Sequence, residues 1–565
     1  MSFGLPRFNR RTQNIALLPI AGAQPPPLNR VSRLFSERGN STAISFASVC
    51  VLAVLLTNCG GGGSQPPPPP PPPPADFTLS VSPAQVSATL GTASAPVSIS
   101  VTALNGFTGS TTITLSGLPT GSTSHPASPF TVAAGASESV TFNIPAASAV
   151  GIFTIQAAAT SGTISHSGQI ALMVNPVITT NNDGTSFVLQ TQTSTEAVRV
   201  GLLQAWGGAI TEVSLNGINY VNHDDPGRQI QTSLWDSNAN YNTSWGYNPI
   251  ESGDHDFDGS PVLASTLQPD SIYTKTQPIQ WAPENFGGGP GNPVLGDAYI
   301  EKWITVVPGY NRVFKVHYKI THFGTDTHAE ALQELPVMYV NENVPNFFYY
   351  GGSAPWTNGA LSQHVMPSGC CDMLETQEQW GAYVDGNNTG IALYTPQQFP
   401  DSKGFNAGST LQFTPMCPYS WDPGAVLEFD IFILAGSVTD SRTAIYALHG
   451  QQTNKSSLPA MGNLDLPSTG TIVSGVTDVV GWAWALSGVA SVDVFIDGNR
   501  LAAATYGVSR PDIQLSFPGA PTTLGYHYSL DTTAYSNGNH TVVAKATDKL
   551  GHVATFATRQ VTFSN

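Results

Sequence analysis

At 565 residues the chain has room for about three or four domains of roughly 100–200 residues each. A formal net charge of −16 with only 10% charged residues argues against nucleic acid or an anionic membrane surface as an electrostatic partner. The 55 glycines and 44 prolines suit turn-rich β modules better than a helical enzyme.

The chain opens with scattered arginines from Arg7 to Arg38, followed by the apolar run "AISFASVCVLAVLLTNC". That run has the length of a signal-peptide core and is short for a membrane-spanning helix, so residues 1–58 are expected to be removed. "LLTNC" followed by "GGGGS" resembles a bacterial lipobox, which implies lipidation at Cys59 and a membrane contact made through the lipid anchor. Residues 59–75 then form a linker in which glycines precede nine prolines, Pro66 to Pro74. Such a tract reads as a polyproline II spacer of about 3 Å per residue.

Residues 76–176 show short alternating apolar runs punctuated by Gly, Pro and Ser, the pattern of an antiparallel sandwich. They hold almost no charge and no cluster of chemistry-bearing residues. Residues 463–565 repeat the pattern, with hairpin signals at Asp497-Gly498 and Asn537-Gly538. Both blocks resemble Ig-like modules of bacterial surface proteins. Trp482 and Trp484 share one strand face and read as core aromatics or as a sugar platform.

Between them, residues 178–452 are too long for one Ig-like module and richer in Trp, Tyr, His, Asp and Glu. Their strand-like runs alternate in period two with no sustained helical periodicity, so a large antiparallel β-sandwich is expected. The expected class is thus all-β, one large sandwich between two smaller ones. The stretch "WGGAITEVSLNGINYVNHDDPGRQIQTS", with "TGIALYTPQ" and "LEFDIFILAG" further on, resembles the galactose-mutarotase-like (aldose 1-epimerase superfamily) sandwiches. The resemblance implies a sandwich fold and a carbohydrate context, and not epimerase activity, because the histidine motifs of the epimerases are not evident. Fold alone does not assign function.

Alternation in "AYIEKWIT" puts Tyr299, Glu301 and Trp303 on one strand face, with Ile300, Lys302 and Ile304 on the other. Two aromatics around a carboxylate suit a sugar. In "AEALQELPVM", Glu334 lies among Leu332, Leu335 and Pro336, where desolvation would raise its pKa toward general-acid use. Arg228 beside Asp224 and Asp225 offers a fork for a carboxylate or a hydroxyl pair, and Trp356 adds an aromatic loop. The loop "YNPIESGD" contributes Asn248, Glu251 and Asp254. The expectation is one cleft with Glu301 and Glu334 catalytic, and Arg228, Asn248, Glu251, Tyr299, Trp303 and Trp356 binding substrate.

Asp254, Asp256, Asp258 and Gly259 fall in the order of an EF-hand loop, but the twelfth position is Ser265 where a bidentate glutamate is needed. A non-helical calcium loop on the three aspartates stays open as an alternative to a loop over the cleft, and no other metal site is expected. Among the cysteines, Cys417 is expected to pair with Cys370 or Cys371, because adjacent cysteines rarely bond to each other. The expected function is a secreted or surface-anchored carbohydrate-active protein. It would act by two-carboxylate hydrolysis, or by elimination, with Arg228 and Asn248 neutralising a uronate while a Tyr or His removes a proton. The alternative is a non-catalytic glycan-binding or adhesive lipoprotein.

Overall fold

The computed structural model describes residues 71–224, 226–237, 245–451 and 458–565. Cys59 and the signal segment lie outside the described residues. From Pro72 onward the chain packs as one compact unit built almost wholly of antiparallel sheets.

The first module is a sandwich of a four-stranded and a five-stranded sheet. Its strands obey the two-residue period: in Val97–Leu104, Val97, Ile99 and Val101 are buried while the residues between them are not. In Ser110–Ser116 every second residue is buried. The inward residues meet in one core with Phe77, Phe142, Ile155 and Leu172.

The central segment forms a thirteen-stranded sheet packed on a nine-stranded one. The strand Ala298–Val306 in the nine-stranded sheet alternates buried and half-buried along its whole length. Gly390–Tyr394, by contrast, is buried at every position, because its outer face is covered by a helix, Val438–His449. The sequence pattern did not reveal this helix. Its start is marked by Ser437, whose Oγ accepts from the Asp440 amide at 3.0 Å, a serine-to-acid spacing that caps a helix N-terminus. Its buried face is Val438, Ser441, Arg442, Ile445 and Leu448.

One strand of the larger sheet, His328–Asn341, departs from simple alternation. Against the strand Ile230–Ser233 its register runs Met338 to Ile230, Val337 to Gln231 and then Glu334 to Ser233. Three steps on one strand therefore match two on the other, a β-bulge around Leu335–Val337. The extra residue reverses the parity of the strand. Leu335 and Met338 both point into the core, which leaves Glu334 and Tyr339 together on the face turned away from it.

The C-terminal module pairs a four-stranded with a six-stranded sheet around its own core of Leu464, Val479, Val494 and Val542. It is also fastened to the central sandwich. Trp482, Trp484, Ile513 and Leu524 belong to the same hydrophobic cluster as the central core. The Trp484 ring lies 4.7 Å from that of Phe399, so both tryptophans of "GWAW" serve packing. Polar contact is made by Asp401, fully buried, whose Oδ1 accepts from the Gly519 amide at 3.0 Å.

Burial pushes the Asp401 carboxyl up to about 6, against the lowering pull of the Gly519 amide. An unfolded aspartate titrates near 3.9. Between about pH 4 and 6 the folded chain therefore binds more protons than the unfolded one, and stability from this group falls as pH rises through that window. Asp401→Asn should abolish this contribution. The melting temperature of the variant relative to the parent is expected to be higher at pH 7.5 than at pH 4.5, and a difference independent of pH would contradict the assignment.

Candidate functional site

A cavity of about 590 Å³ opens on the outer face of the thirteen-stranded sheet. Its floor is made by strand residues Ser233, Glu334, Tyr339, Gln412 and Lys403. Tyr339 and Gln412 are register partners, while their neighbours Met338 and Phe413 point into the core. The walls are Trp235, Trp245 and Trp281 together with Arg228 and Asn248. Trp245 is 49% exposed, with its ring 6.3 Å from that of Trp235 and 6.4 Å from that of Trp281. Gly227 has φ +84°, and a Cβ there would run into the Trp281 indole, so the backbone and the ring are in direct apposition.

The polar floor is connected. Lys403 Nζ lies 3.3 Å from Glu334 Oε1. Gln412 Nε2 donates to both Glu334 Oε1 and the Tyr339 hydroxyl, each at 3.3 Å. The partners of the Glu334 carboxylate are thus a cation and an amide, rather than the apolar neighbours that sequence order suggested. Ser233 donates to Asn248 Oδ1 at 2.7 Å, which fixes the amide at the cavity wall.

Arg228, Asn248 and Glu334 are brought together as expected, but the other candidates are elsewhere. Tyr299, Glu301 and Trp303 do share a face. It is the outer face of the nine-stranded sheet, where Tyr273 donates to Glu301 Oε1 at 2.7 Å and its ring lies tilted against that of Trp303 at 5.0 Å. Glu301 and Glu334 therefore stand on opposite faces of the sandwich, which removes them as a catalytic pair. Trp356 is a plug under the helix Val438–His449, stacked on His449 at 3.5 Å.

Glu251 is fully buried between the sheets and paired with Lys302, which points inward from the strand Ala298–Val306. Its second oxygen accepts from the Thr232 amide at 2.9 Å. Both side chains are out of reach of any ligand. Desolvation lowers the Lys302 pKa, and Glu251 opposes that shift.

The three aspartates of the calcium reading do not converge. Asp254 Oδ1 accepts from the amides of Asp256 and Asp258 in its own turn, with its pKa raised by burial. Asp258 accepts from the Gly291 amide at 2.6 Å, and Asp256 sits against His255. Strands rather than helices flank the turn. Among the described residues, the side chains able to gather around one cation are Asp297, His322, Asp326 and His328, and separately His255, Asp256 and Glu284. Histidines at ligand spacing are thus present after all, in "HFGTDTH".

Cys370 and Cys371 are bonded to each other, in a loop that reaches the cavity rim. Cys417 is a free, buried thiol in the central core. Its strand is paired to Gln333, away from the rim loop, so the expected long-range disulfide does not form.

Sequence reasoning missed Trp235, Trp245, Trp281, Lys403, Tyr339 and Gln412. The legible signal was the density of tryptophan between residues 235 and 281.

Residues 463–544 match the family model described as a bacterial Ig domain. No curated protein matches the chain in sequence. Among solved structures, a putative aldose 1-epimerase from Klebsiella pneumoniae is 9% identical, covering 54% of this chain and 93% of its own, with a TM-score of 0.29. A polysaccharide lyase is 9% identical over 66% of this chain and 47% of its own, with a TM-score of 0.28. An endo-beta-1,4-mannanase from Thermotoga petrophila is 13% identical over 22% of this chain, with a TM-score of 0.15. The chain spans about a quarter of that mannanase, 23%, and about half of the lyase. No helix among the described residues is long and apolar enough to cross a membrane.

The buried pair beneath the cavity yields a stability prediction. Lys302→Met leaves Glu251 charged and uncompensated, and is expected to destabilise the chain by about 3–5 kcal/mol. Adding Glu251→Gln should restore most of that loss. Urea midpoints of the two variants against the parent provide the check; equal midpoints for the single and double variants would refute the coupling.

Proposed function

We propose that this is a carbohydrate-active protein of the bacterial surface or exterior that takes a uronate-bearing glycan in the tryptophan-walled cavity. The observation that carries the reading is the meeting of three indoles with two cations, Arg228 and Lys403, in one cavity of an otherwise acidic chain. Indole faces cover the apolar face of a sugar ring, and Arg and Lys pair with its carboxylate. Asn248 and Gln412 supply the fixed amides that orient hydroxyls. The apolar run ending at Cys59 supports export, with the lipid anchor as the tether and the proline tract as the spacer.

Glu334 is the single carboxylate among the described lining residues, so the cavity favours elimination over two-carboxylate hydrolysis. In that step Arg228 and Lys403 neutralise the uronate carboxylate and Tyr339 takes the proton from the carbon beside it. The C–O bond to the next sugar then breaks with its electron pair going to the oxygen, and that departing oxygen takes the proton Tyr339 removed, which restores the base. Glu334 holds Lys403 in place for this role.

The test incubates the full chain with neutral and uronate-containing polysaccharides, following gel retardation, reducing ends and the ultraviolet absorbance of unsaturated uronates. Retention by uronate glycans and growth of that absorbance are expected. Trp281→Ala should weaken binding about tenfold, equivalent to about 1.4 kcal/mol. Tyr339→Phe should lower turnover by about 10²–10⁴-fold, with binding held. Binding without any cleavage would make the protein a glycan binder and sink the elimination step. Failure to bind any uronate glycan would sink the reading as a whole.

A further inference from the structure

We infer that Asp297, His322 and His328 form a binding site for a divalent transition cation, with Asp326 as the fourth ligand. The inference is independent of what the cavity binds.

Asp297 Oδ2 lies 3.1 Å from His322 Nε2 and 3.1 Å from His328 Nε2. Nitrogen and oxygen ligands about 2.0–2.1 Å from one tetrahedral ion stand roughly 3.3 Å apart. Both separations are therefore close to an edge of such a coordination polyhedron, and the ligand atoms all lie within 4.8 Å of one another. Asp326 offers an oxygen within reach of the same point.

The hydrogen bonds behind the rings separate this from an ordinary polar cluster. His322 Nδ1 is 2.9 Å from the Asp422 carbonyl oxygen. A carbonyl only accepts, so Nδ1 carries the hydrogen. His328 Nδ1 is 3.3 Å from Asp236 Oδ2, and the other oxygen of that carboxylate accepts from the Ala329 amide at 3.0 Å. Here too Nδ1 is the donor. In the neutral rings both Nε2 lone pairs then face a carboxylate oxygen, so three acceptors converge on one point. A cation relieves that conflict. Without an ion, the alternative is an imidazolium at His328 held by the Asp297 carboxylate, and it still leaves the His322 Nε2 lone pair facing Oδ2, with the ring centroids 5.0 Å apart and both histidines at most 3% exposed. Ligating histidines that pass their second N–H to a carboxylate or carbonyl are the usual pattern around bound metals. Two imidazoles with carboxylate oxygens suit Zn²⁺ and its neighbours better than Ca²⁺ or Mg²⁺.

The local chain is shaped around the point. His322 ends one strand, His328 begins the next, and the turn "HFGTDTH" brings Asp326 to the same place. A Cβ on Gly324 would overlap Asp297 Oδ2 and His322 Nε2, so the turn packs directly on the cluster. Tyr247 donates to Asp297 Oδ1 at 2.5 Å and stacks on His328 at 3.6 Å. An ion here ties the turn to Asp236 and Tyr247, the sequence neighbours of Trp235 and Asn248 in the cavity wall.

The full chain, purified without a metal-affinity step and dialysed against a chelator, is titrated with Zn²⁺ and separately with Co²⁺. One equivalent per chain, visible Co²⁺ absorption bands typical of tetrahedral nitrogen and oxygen ligation, and a higher melting temperature with Zn²⁺ are expected. Asp326→Asn, in the exposed part of the turn, should weaken binding about 10–100-fold while the apo chain melts as the parent does. His328→Gln should abolish the Co²⁺ bands. His255→Ala, in the second cluster, should leave the stoichiometry at one. Uptake of neither ion with no change in melting temperature overturns the site, as does binding that survives Asp326→Asn and His328→Gln but is lost in His255→Ala.

Discussion

The ion pair of Lys302 with Glu251 is the constraint around which the central sandwich is arranged. It crosses the interior, joining the nine-stranded sheet to the segment that follows Pro249–Ile250. Burying two charges is costly unless the remaining polar positions are filled, and here Thr232 gives Glu251 both its amide and, at 3.3 Å, its hydroxyl. The pair therefore admits one placement of the segment relative to the strand Ile230–Ser233. Three residues before Glu251, Asn248 inherits that placement and meets Ser233 at the cavity wall. A group no ligand touches thus sets the geometry of groups that a ligand would meet.

A second constraint comes from the C-terminal module. Trp482 and Trp484 extend the central core across the junction, and the buried Asp401 carboxylate meets the Gly519 amide there. Asp401 begins the strand Asp401–Asn406 that carries Lys403 and Phe405 to the cavity. The module is therefore more than a spacer: its packing bears on the strand supplying one of the two cavity cations. The first module, also a sandwich of two sheets, keeps a separate core.

Much of the fold was legible because alternation is a local property. Short runs such as Val97–Leu104 announce both strand and inward face without knowledge of the partner sheet. The site was less legible, for three physical reasons. Alternation correctly grouped Tyr299, Glu301 and Trp303, yet it cannot say whether the shared face lies over the cavity or behind it. The bulge at Leu335–Val337 reverses parity midway along one strand, so Glu334 and Tyr339 share a face although they are an odd five positions apart. Lys302 was visible between Ile300 and Ile304 on an inward face, a pattern that signals a buried lysine only once its partner is known. Tertiary partners also decided the cysteines: Cys417 is held in the core strand Cys417–Trp421 while Cys370 stands at the rim.

The acids that the sequence offered as ligand-binding groups are largely consumed by the scaffold. Glu251 balances Lys302, Asp254 closes its own turn, and Asp258 holds Gly291. Each of these carboxylates holds part of the cavity-bearing loops, where a desolvated acceptor gains most from a fixed donor. The lining that remains is aromatic, amide and cationic, with Glu334 joined to Lys403. A chain of net charge −16 can thereby present a cavity with two cations in its lining, because acids of the cavity-bearing loops are engaged by the scaffold. Residue type alone is therefore a poor guide to this site: carboxylates are common catalysts, while Glu251, Asp254 and Asp258 order the loops beside the tryptophans.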